Sequence, residues 1–520
     1  MTRLGAGGLA CLGISLACFL VTALLGPSVF QPALEGRPGE PPYSLTVHPS
    51  PYLVIGLVAA GVAAGAAGLG LCLAAVRRGW RVRAFPLAAA GLLTAVAFML
   101  MPPVGSTDHL NYASYGRMAA TGHDPYETSA AELPHDPVAG APEEWRTTPS
   151  VYGPLATGEQ AVAAWIGGGS VRLTVFVLSV ANTLAFAATA LILYRTAATE
   201  ERRLRTVLLW TCNPFVLLHL IAGAHNDVLA IAPMVTALVF FGGGAALGGR
   251  ARPRWRRATW VRALAAGALA GAGSAVKLPA ALVVGGPAWT LLRGAWTERL
   301  RSLAGLVALA GGAVVVAVPS YLLAGPHALD QVREASNMVS FATPWHLLDE
   351  QLGRGARRDL IKLGALLLGI VLFAVIVRML RRDVPRDLVA EGPQDASARE
   401  TQTRRVAAAL VIAWLLAAPY ALPWYDGFGW ALLALLPWTR VDWILLVHTT
   451  ALSLAYLPAR APARIRLPDD LSWLFTVVRP TVIPWTLVAL LAILVIQGLR
   501  FSGRAPATGR PRRASAGSPG

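Results

Sequence analysis

Charge is what this sequence has least of. Only 14% of its 520 residues are Asp, Glu, Lys or Arg, while 55% are hydrophobic and the mean hydropathy is +0.54. A soluble chain carries about 25% charged residues, so the deficit excludes a string of ordinary soluble domains. Lysine is almost missing: of 45 Lys and Arg residues, only Lys277 and Lys362 are lysines. With abundant Ala and Gly, this bias points to a GC-rich genome, against which a retained lysine stands out. Cysteine is scarce and unpatterned. Cys11, Cys18, Cys72 and Cys212 all fall inside apolar runs, without metal-ligand spacing or partners in polar loops. Neither a zinc site nor a disulfide framework is indicated, and all four read as small buried hydrophobes. No Ser/His or Cys/His arrangement suggests an enzyme nucleophile, and no inverted repeat of the transporter kind is visible.

What the chain does have is long apolar runs, each of about 20 residues and able to cross a bilayer as a helix. The sequence therefore predicts an all-α, polytopic transmembrane helix bundle of about 12–14 spans, with short amphipathic helices on its outer loops. A net charge of +17 raises nucleic acid as a partner. The arginines, however, cluster in short loops between apolar runs, as the positive-inside rule requires, and no nucleic-acid partner is expected.

Those arginines orient the chain. The first run, 5–25, follows Arg3; it is long for a signal-peptide core, lacks a clear cleavage site and reads as an uncleaved first span. The Pro-rich stretch 27–50 is placed outside, RRGWRVR at 77–83 marks the cytoplasmic side, and the run 84–104 leads out again. Two large outer loops are expected at 105–170 and 324–358, the first with a surface helix in its second half. The membrane domain, 1–499, also includes a break at Asn213–Pro214 and two short spans meeting at Ser274–Pro279. A flexible cytoplasmic linker is expected at 381–405, and residues 458–479 are ambiguous. The tail, 500–520, reads as basic, disordered and cytoplasmic.

Sorted by face, the varied polar and aromatic groups fall on one side. Asp108, Tyr112, Tyr115, Arg117, Asp124 and Tyr126 crowd into a single stretch, and Tyr152, His225–Asn226–Asp227, Lys277, Trp345–His346 and Trp424–Tyr425–Asp426 share its face. The cytoplasmic loops hold mostly arginine and scattered acids. This asymmetry suggests an active site at the outer membrane surface. Asp108, held close to the third span, reads as a general base for a sugar hydroxyl attacking an activated anomeric carbon, or else as a solvated acid or helix cap. Lys277, between apolar segments, reads as a phosphate ligand or as a snorkelling side chain. Arg117 is a second candidate for holding a leaving phosphate, and His225 reads as a contact to the leaving phosphate or to the acceptor sugar. Asn226 and Asp227 read as helix caps or as sugar contacts. Tyr112, Tyr115, Asp124, Tyr126, Tyr152, Trp345, His346, Trp424, Tyr425 and Asp426 complete the candidates for sugar and acceptor binding. An interfacial aromatic belt is the alternative for the tryptophans and Tyr425. No metal or organic cofactor is called for.

Five motifs carry a resemblance: STDHLNYASYGRMAATGHDPY from Ser106, VYGPL from Val151, CNPFVLLHLIAGAHNDVLA from Cys212, AVKLPAAL from Ala275 and LPWYDGF from Leu422. In this order, over most of the chain, they resemble integral-membrane glycosyltransferases of the GT-C superfamily. More narrowly, they resemble the actinobacterial polyprenol-phosphate-mannose-dependent α-1,6-mannosyltransferases of the lipomannan-building type. The resemblance implies a catalytic aspartate in the first large outer loop, matched by Asp108. It also implies mannose delivered from a polyprenyl-phosphate carrier rather than a nucleotide sugar. Transfer from a β-linked donor would invert to an α-linkage, usually on the 6-hydroxyl of a growing mannan or lipoglycan. No large soluble C-terminal domain of the kind some relatives carry is read here, which leaves acceptor binding to the outer loops. The competing class is a transporter or flippase of a lipid-linked sugar, which requires ionisable residues along a path through the bundle.

Overall fold

In hydrocarbon, backbone N–H and C=O groups find no water, so an apolar run satisfies them within itself by forming a helix. The computed structural model describes residues 2–242, 259–294, 299–349, 351, 357–382, 394–460 and 462–500, and every named element among them is helical. Helices α1 (Thr2–Leu25), α2 (Pro51–Arg77) and α3 (Ala84–Met99) realise the first three runs. Ser50 starts α2, its Oγ accepting from Leu53 N at 3.3 Å, with Pro51 in the first turn. The large loop that follows holds α4 (Asp108–Ala120) and α5 (Pro154–Gly167). Leu155, Val162, Trp165 and Ile166 of α5 are exposed, while Ala156, Gln160, Ala163 and Ala164 are buried. This is the amphipathic surface helix read from the sequence.

Next come α6 (Val171–Thr196), α7 (Glu200–Leu209), α8 (Pro214–Val216) and a π-turn over Leu217–Ala222. Pro214 breaks the run where expected, and Asn213 Oδ1 caps the restart by accepting from Phe215 N at 3.0 Å. The segment Glu200–Ala222 is 100% buried over its apolar window, so it forms the centre of the bundle. Helix α9 (Asp227–Gly242) returns from it. Helix α10 (Thr259–Val276), a 3-10 turn over Leu278–Val284 and α11 (Gly285–Gly294) form the expected short pair. Helix α12 (Arg299–Ala324) lies directly against α10: a Cβ on Gly267 would sit 2.0 Å from the Leu309 carbonyl oxygen. Close backbone approach through small residues is how helices pack in lipid. The second large loop carries α13 (Asp330–Ala335) and α14 (Pro344–Asp349). Helices α15 (Arg357–Arg382), α16 (Gln394–Ala417), α17 (Asp426–Ala434), α18 (Val441–Ala455) and α19 (Ile483–Arg500) complete the fold.

Among the described residues, seven helices are long and apolar enough to cross a membrane, and four shorter apolar helices accompany them. The protein is thus a polytopic helical membrane bundle, in which several expected spans are short or interrupted segments. The linker expected at 381–405 is corrected in part: residues 394–405 belong to α16, because their sequence continues the helix that enters the bundle. Residues 383–393, 243–258 and 501–520, including the basic tail, lie outside the described residues.

The two ends of the bundle differ. At one end Arg205 is buried, with Nη1 2.6 Å and Nη2 2.9 Å from Asp442 and further bonds to the Leu433 and Leu436 carbonyls. At the other end, Tyr52 Oη donates to Asp470 at 2.8 Å, and Arg460 Nε donates to Glu143 at 2.9 Å. These contacts place residues 458–473, ambiguous in the sequence, at the same end as the α4–α5 loop.

Candidate active site

Two backbone ties assemble the site. Val104 N donates to the Ala222 carbonyl at 2.8 Å, joining the approach to α4 to the tip of the central buried segment. Gly105 then turns at φ 91, and Ser106 Oγ accepts from Asp108 N at 3.0 Å, so α4 begins at Asp108. His225, just past the central segment, faces it: His225 Nε2 lies 3.7 Å from Asp108 Oδ2. The imidazole stacks on Trp424 with centroids 3.7 Å apart and planes at 17°, and its Nδ1 lies 2.5 Å from the His219 carbonyl oxygen.

The second tie runs from Gly153, whose N donates to the Val276 carbonyl at 3.0 Å. A Cβ at residue 153 would lie 2.2 Å from the Ala275 oxygen, so glycine is what allows the two chains to meet. The result sets Tyr152 beside Lys277. Lys277 Nζ lies 4.2 Å from the Tyr425 ring centroid and 5.8 Å from that of Tyr152. It also holds both Asp227 oxygens, at 2.7 and 2.8 Å. Tyr112 completes this wall, edge-on to Tyr152 at 5.0 Å.

The Asp108 side chain keeps 17% of its surface open, yet its surroundings are poor in water. Burial pushes its carboxyl up to about 7; the Lys277 cation opposes this, the Glu144 and Asp227 carboxylates add to it, and the Ser106 hydrogen bond opposes it weakly. Burial likewise holds His225 well below the ordinary imidazole range, and keeps the Tyr112, Tyr152 and Tyr425 phenols well above theirs. The cluster therefore offers a carboxyl that exchanges a proton near neutrality, a fixed cation and apolar ring faces. That combination suits proton removal from a hydroxyl beside an anionic leaving group.

Asp108, His225, Lys277, Tyr112, Tyr152, Trp424 and Tyr425 are thus brought together, and Tyr115 reaches the edge with its ring 6.3 Å from Tyr152. Tyr115 Oη is tied to the Thr148 carbonyl at 3.0 Å. Asn226 is buried beside His225, and its amide has no partner among the described residues. Other expectations are corrected. Arg117 is bound to Asp136 at 3.0 Å; nine residues along α4, it stands roughly 13 Å from Asp108 along the axis and on the opposite face. Asp227 is fully buried against Lys277, so it fixes that cation instead of meeting solvent or sugar. Asp426, 1% exposed, accepts from His448 Nδ1 at 2.8 Å and Thr449 Oγ1 at 2.6 Å, bracing α17 to α18 inside the bundle. Asp124 Oδ1 accepts from Tyr126 N at 2.8 Å in a local turn, and Tyr126 Oη pairs with Thr157 Oγ1 at 2.8 Å. Trp345 Nε1 donates to the Ala417 carbonyl at 2.8 Å, and His346 packs buried against Phe341. The contacts seen for these last side chains are local ones.

Sequence reading missed four members. Tyr456 meets Trp424 edge-on at 5.3 Å, and the Arg479 guanidinium lies 5.3 Å from the Tyr456 ring. The Glu144 carboxylate acts on Asp108 and on the Tyr456 and Tyr420 phenols. Arg479 had a signal: it stands in the apolar stretch FTVVRPTV, the same oddity that marks Lys277.

Residues 10–293 match a family profile described as the alpha-(1->6)-mannopyranosyltransferase N-terminal domain. A probable alpha-(1->6)-mannopyranosyltransferase of Mycolicibacterium smegmatis is 31% identical over 216 residues, 37% of this chain and 37% of that protein. An alpha-(1->6)-mannopyranosyltransferase of Mycobacterium tuberculosis is 30% identical over 205 residues, 36% of this chain and 34% of that one. Alpha-(1->6)-mannopyranosyltransferase A of Corynebacterium glutamicum is 28% identical over 146 residues, 28% of this chain and 30% of that one. The chain thus matches about a third of the length of these curated relatives. No solved structure matches. The family match contains Asp108, Tyr152, His225, Asp227 and Lys277, while Trp424, Tyr425, Tyr456 and Arg479 lie beyond it.

Proposed function

The chain belongs to the alpha-(1->6)-mannopyranosyltransferase family, and from that premise we propose that it is a membrane mannosyltransferase. It moves mannose from a polyprenyl-phosphate donor to a mannan or lipoglycan acceptor at the outer membrane face. The observation that carries this reading is the pairing of Asp108, poised near neutrality, with the Lys277 cation and the Trp424 and Tyr425 rings at one end of a membrane bundle. Arginines gather at the opposite end, where Arg77 covers Trp438 and Arg205 holds Asp442. By the positive-inside rule that end is cytoplasmic and the site faces out.

Outside the cell an activated sugar must arrive already anchored in lipid. The polyprenyl tail supplies affinity through its apolar length, and the phosphate sits at headgroup height, where Lys277 and, behind Tyr456, Arg479 supply positive charge. The acceptor 6-hydroxyl attacks the anomeric carbon from the face opposite the phosphate. Its O–H bond breaks toward Asp108, the new glycosidic C–O bond forms, and the bond to phosphate breaks with its electron pair leaving on oxygen. One displacement inverts a β-linked donor to an α-linkage and needs no enzyme nucleophile. Tyr112, Tyr152, Trp424, Tyr425 and Asn226 are the sugar-facing groups. Family membership favours this catalysis over the transport of a lipid-linked sugar.

The test incubates membranes containing the full chain with radiolabelled polyprenyl-phosphate mannose and an α-1,6-oligomannoside. A labelled product extended through a new α-1,6 bond is expected. Label entering the product from a nucleotide sugar instead, or a retained β-linkage, would overturn the proposal.

A further inference from the structure

The backbone before His225 decides which of its ring nitrogens carries hydrogen. Leu217–Ala222 is a π-turn, and Gly223 N donates five residues back to the Leu218 carbonyl at 2.8 Å. Continued by one residue, the pattern would direct Ala224 N to the His219 carbonyl. Ala224 instead adopts φ 52, a left-handed conformation disfavoured for a residue with a Cβ, and donates to Ile221 at 3.1 Å. The His219 carbonyl is thereby left for the His225 ring, whose Nδ1 lies 2.5 Å away. A carbonyl only accepts, so Nδ1 carries the hydrogen and Nε2 presents a lone pair. Nε2 is buried, has no hydrogen-bond partner among the described residues, and faces Asp108 Oδ2 at 3.7 Å, while stacking on Trp424 fixes the ring plane.

We infer that His225 is a positioning residue for Asp108, its Nε2 accepting a hydrogen bond from the Asp108 carboxyl once that group has taken the acceptor hydroxyl's proton. The inference rests on reading Asp108 as the base. The proton ends on Asp108, the phosphate leaves with the electron pair of the broken bond, and His225 gains a hydrogen bond but no charge. A neutral acceptor at this place favours the protonated carboxyl over the carboxylate and so makes Asp108 a stronger base. The charged groups facing the pair are Lys277, Asp227 and Glu144, with His109 and His219 the nearby imidazoles. The phenols Tyr112, Tyr115, Tyr152, Tyr420, Tyr425 and Tyr456 are all raised by burial and stay protonated throughout the working range.

The experiment follows kcat/KM against pH for the full chain in membranes, with radiolabelled polyprenyl-phosphate mannose as donor. It compares wild type with His225→Phe, His225→Asn and Asp108→Asn. Phe keeps a ring on Trp424 without either nitrogen; Asn keeps an amide N–H for the His219 carbonyl but cannot reach Asp108. Both His225 variants are expected to move the acidic limb down by about one pH unit and to lower kcat by about tenfold, with the donor KM unchanged. An unmoved limb in either folded variant overturns the inference, and a raised donor KM with an unmoved limb assigns His225 to the phosphate instead. If Asp108→Asn transfers at the wild-type rate, the base reading itself fails. If Asp108→Asn is inactive while the His225 limbs stay put, only this inference fails.

Discussion

Lys277 and Asp227 form a two-point ion pair, Nζ standing 2.7 and 2.8 Å from the two carboxylate oxygens, with Asp227 wholly buried and Lys277 12% exposed. Neither charge stands without the other. Lys277→Met leaves a buried carboxylate unpaired and is expected to cost about 3–5 kcal/mol, seen as an earlier thermal unfolding transition. The double variant Lys277→Met/Asp227→Asn removes that unpaired charge, so it is expected to regain stability without regaining transfer. Transfer at the wild-type rate by the double variant would remove Lys277 from the phosphate site.

Gly153 is the hinge point of the same wall. A methyl group there would meet the Ala275 oxygen at 2.2 Å, and that oxygen belongs to backbone, which cannot swing aside. Gly153→Ala is expected to part Tyr152 from Lys277 by a fraction of an ångström or more and to lower kcat/KM by about 10–100-fold. Steady-state kinetics on folded membrane preparations would check this. Unchanged kinetics would mean that the tie between residues 153 and 276 does not set the site.

Much of this was legible in the sequence, for a physical reason. Lipid leaves the backbone no partner but itself, so each apolar run announces a helix, and each ionisable group at the end of a run announces a cost that invites a purpose. Asp108, His225 and Lys277 stood out on that ground. The pairings did not. Asp227 lies 50 residues from Lys277, and Glu143 lies 317 residues from Arg460; no periodicity encodes such distances. Arg117 looked free because its partner Asp136 sits 19 residues on in irregular chain. Asp426 read as a candidate sugar contact beside aromatic residues because His448 and Thr449, which bury it, arrive from another helix. The π-turn at LLHLIA was unreadable, since its residues suit an ordinary apolar helix equally well.

Arg117 supplies a contrast with Lys277. Its pair with Asp136 is about a quarter exposed on each side (25% and 23%), and such pairs contribute at most about 1 kcal/mol. Arg117→Ala is expected to leave the donor KM unchanged and to loosen the α4–α5 loop slightly, measurable as modestly faster proteolysis there. A donor KM raised several-fold would return Arg117 to the phosphate.

With Asp108 as the proposed base, activity is expected to carry an acid limb. The Asp108 carboxyl is raised to about 7, and only the ionised form can take a proton, so kcat/KM is expected to rise with pH through that value and to fall away below it. A limb near the ordinary carboxylate range would mean that Asp108 is more hydrated during turnover than in this structure, or that another group is the base.

The most direct measurement compares wild-type and Asp108→Asn chains, at matched amounts in membranes, for mannose transfer from labelled polyprenyl phosphate to an oligomannoside. Asn keeps the size and the bond from its own N–H to Ser106 but cannot accept the hydroxyl proton. A loss of at least about 100-fold in kcat, with donor binding retained, is the expected result; transfer by the Asn form at the wild-type rate would contradict the account.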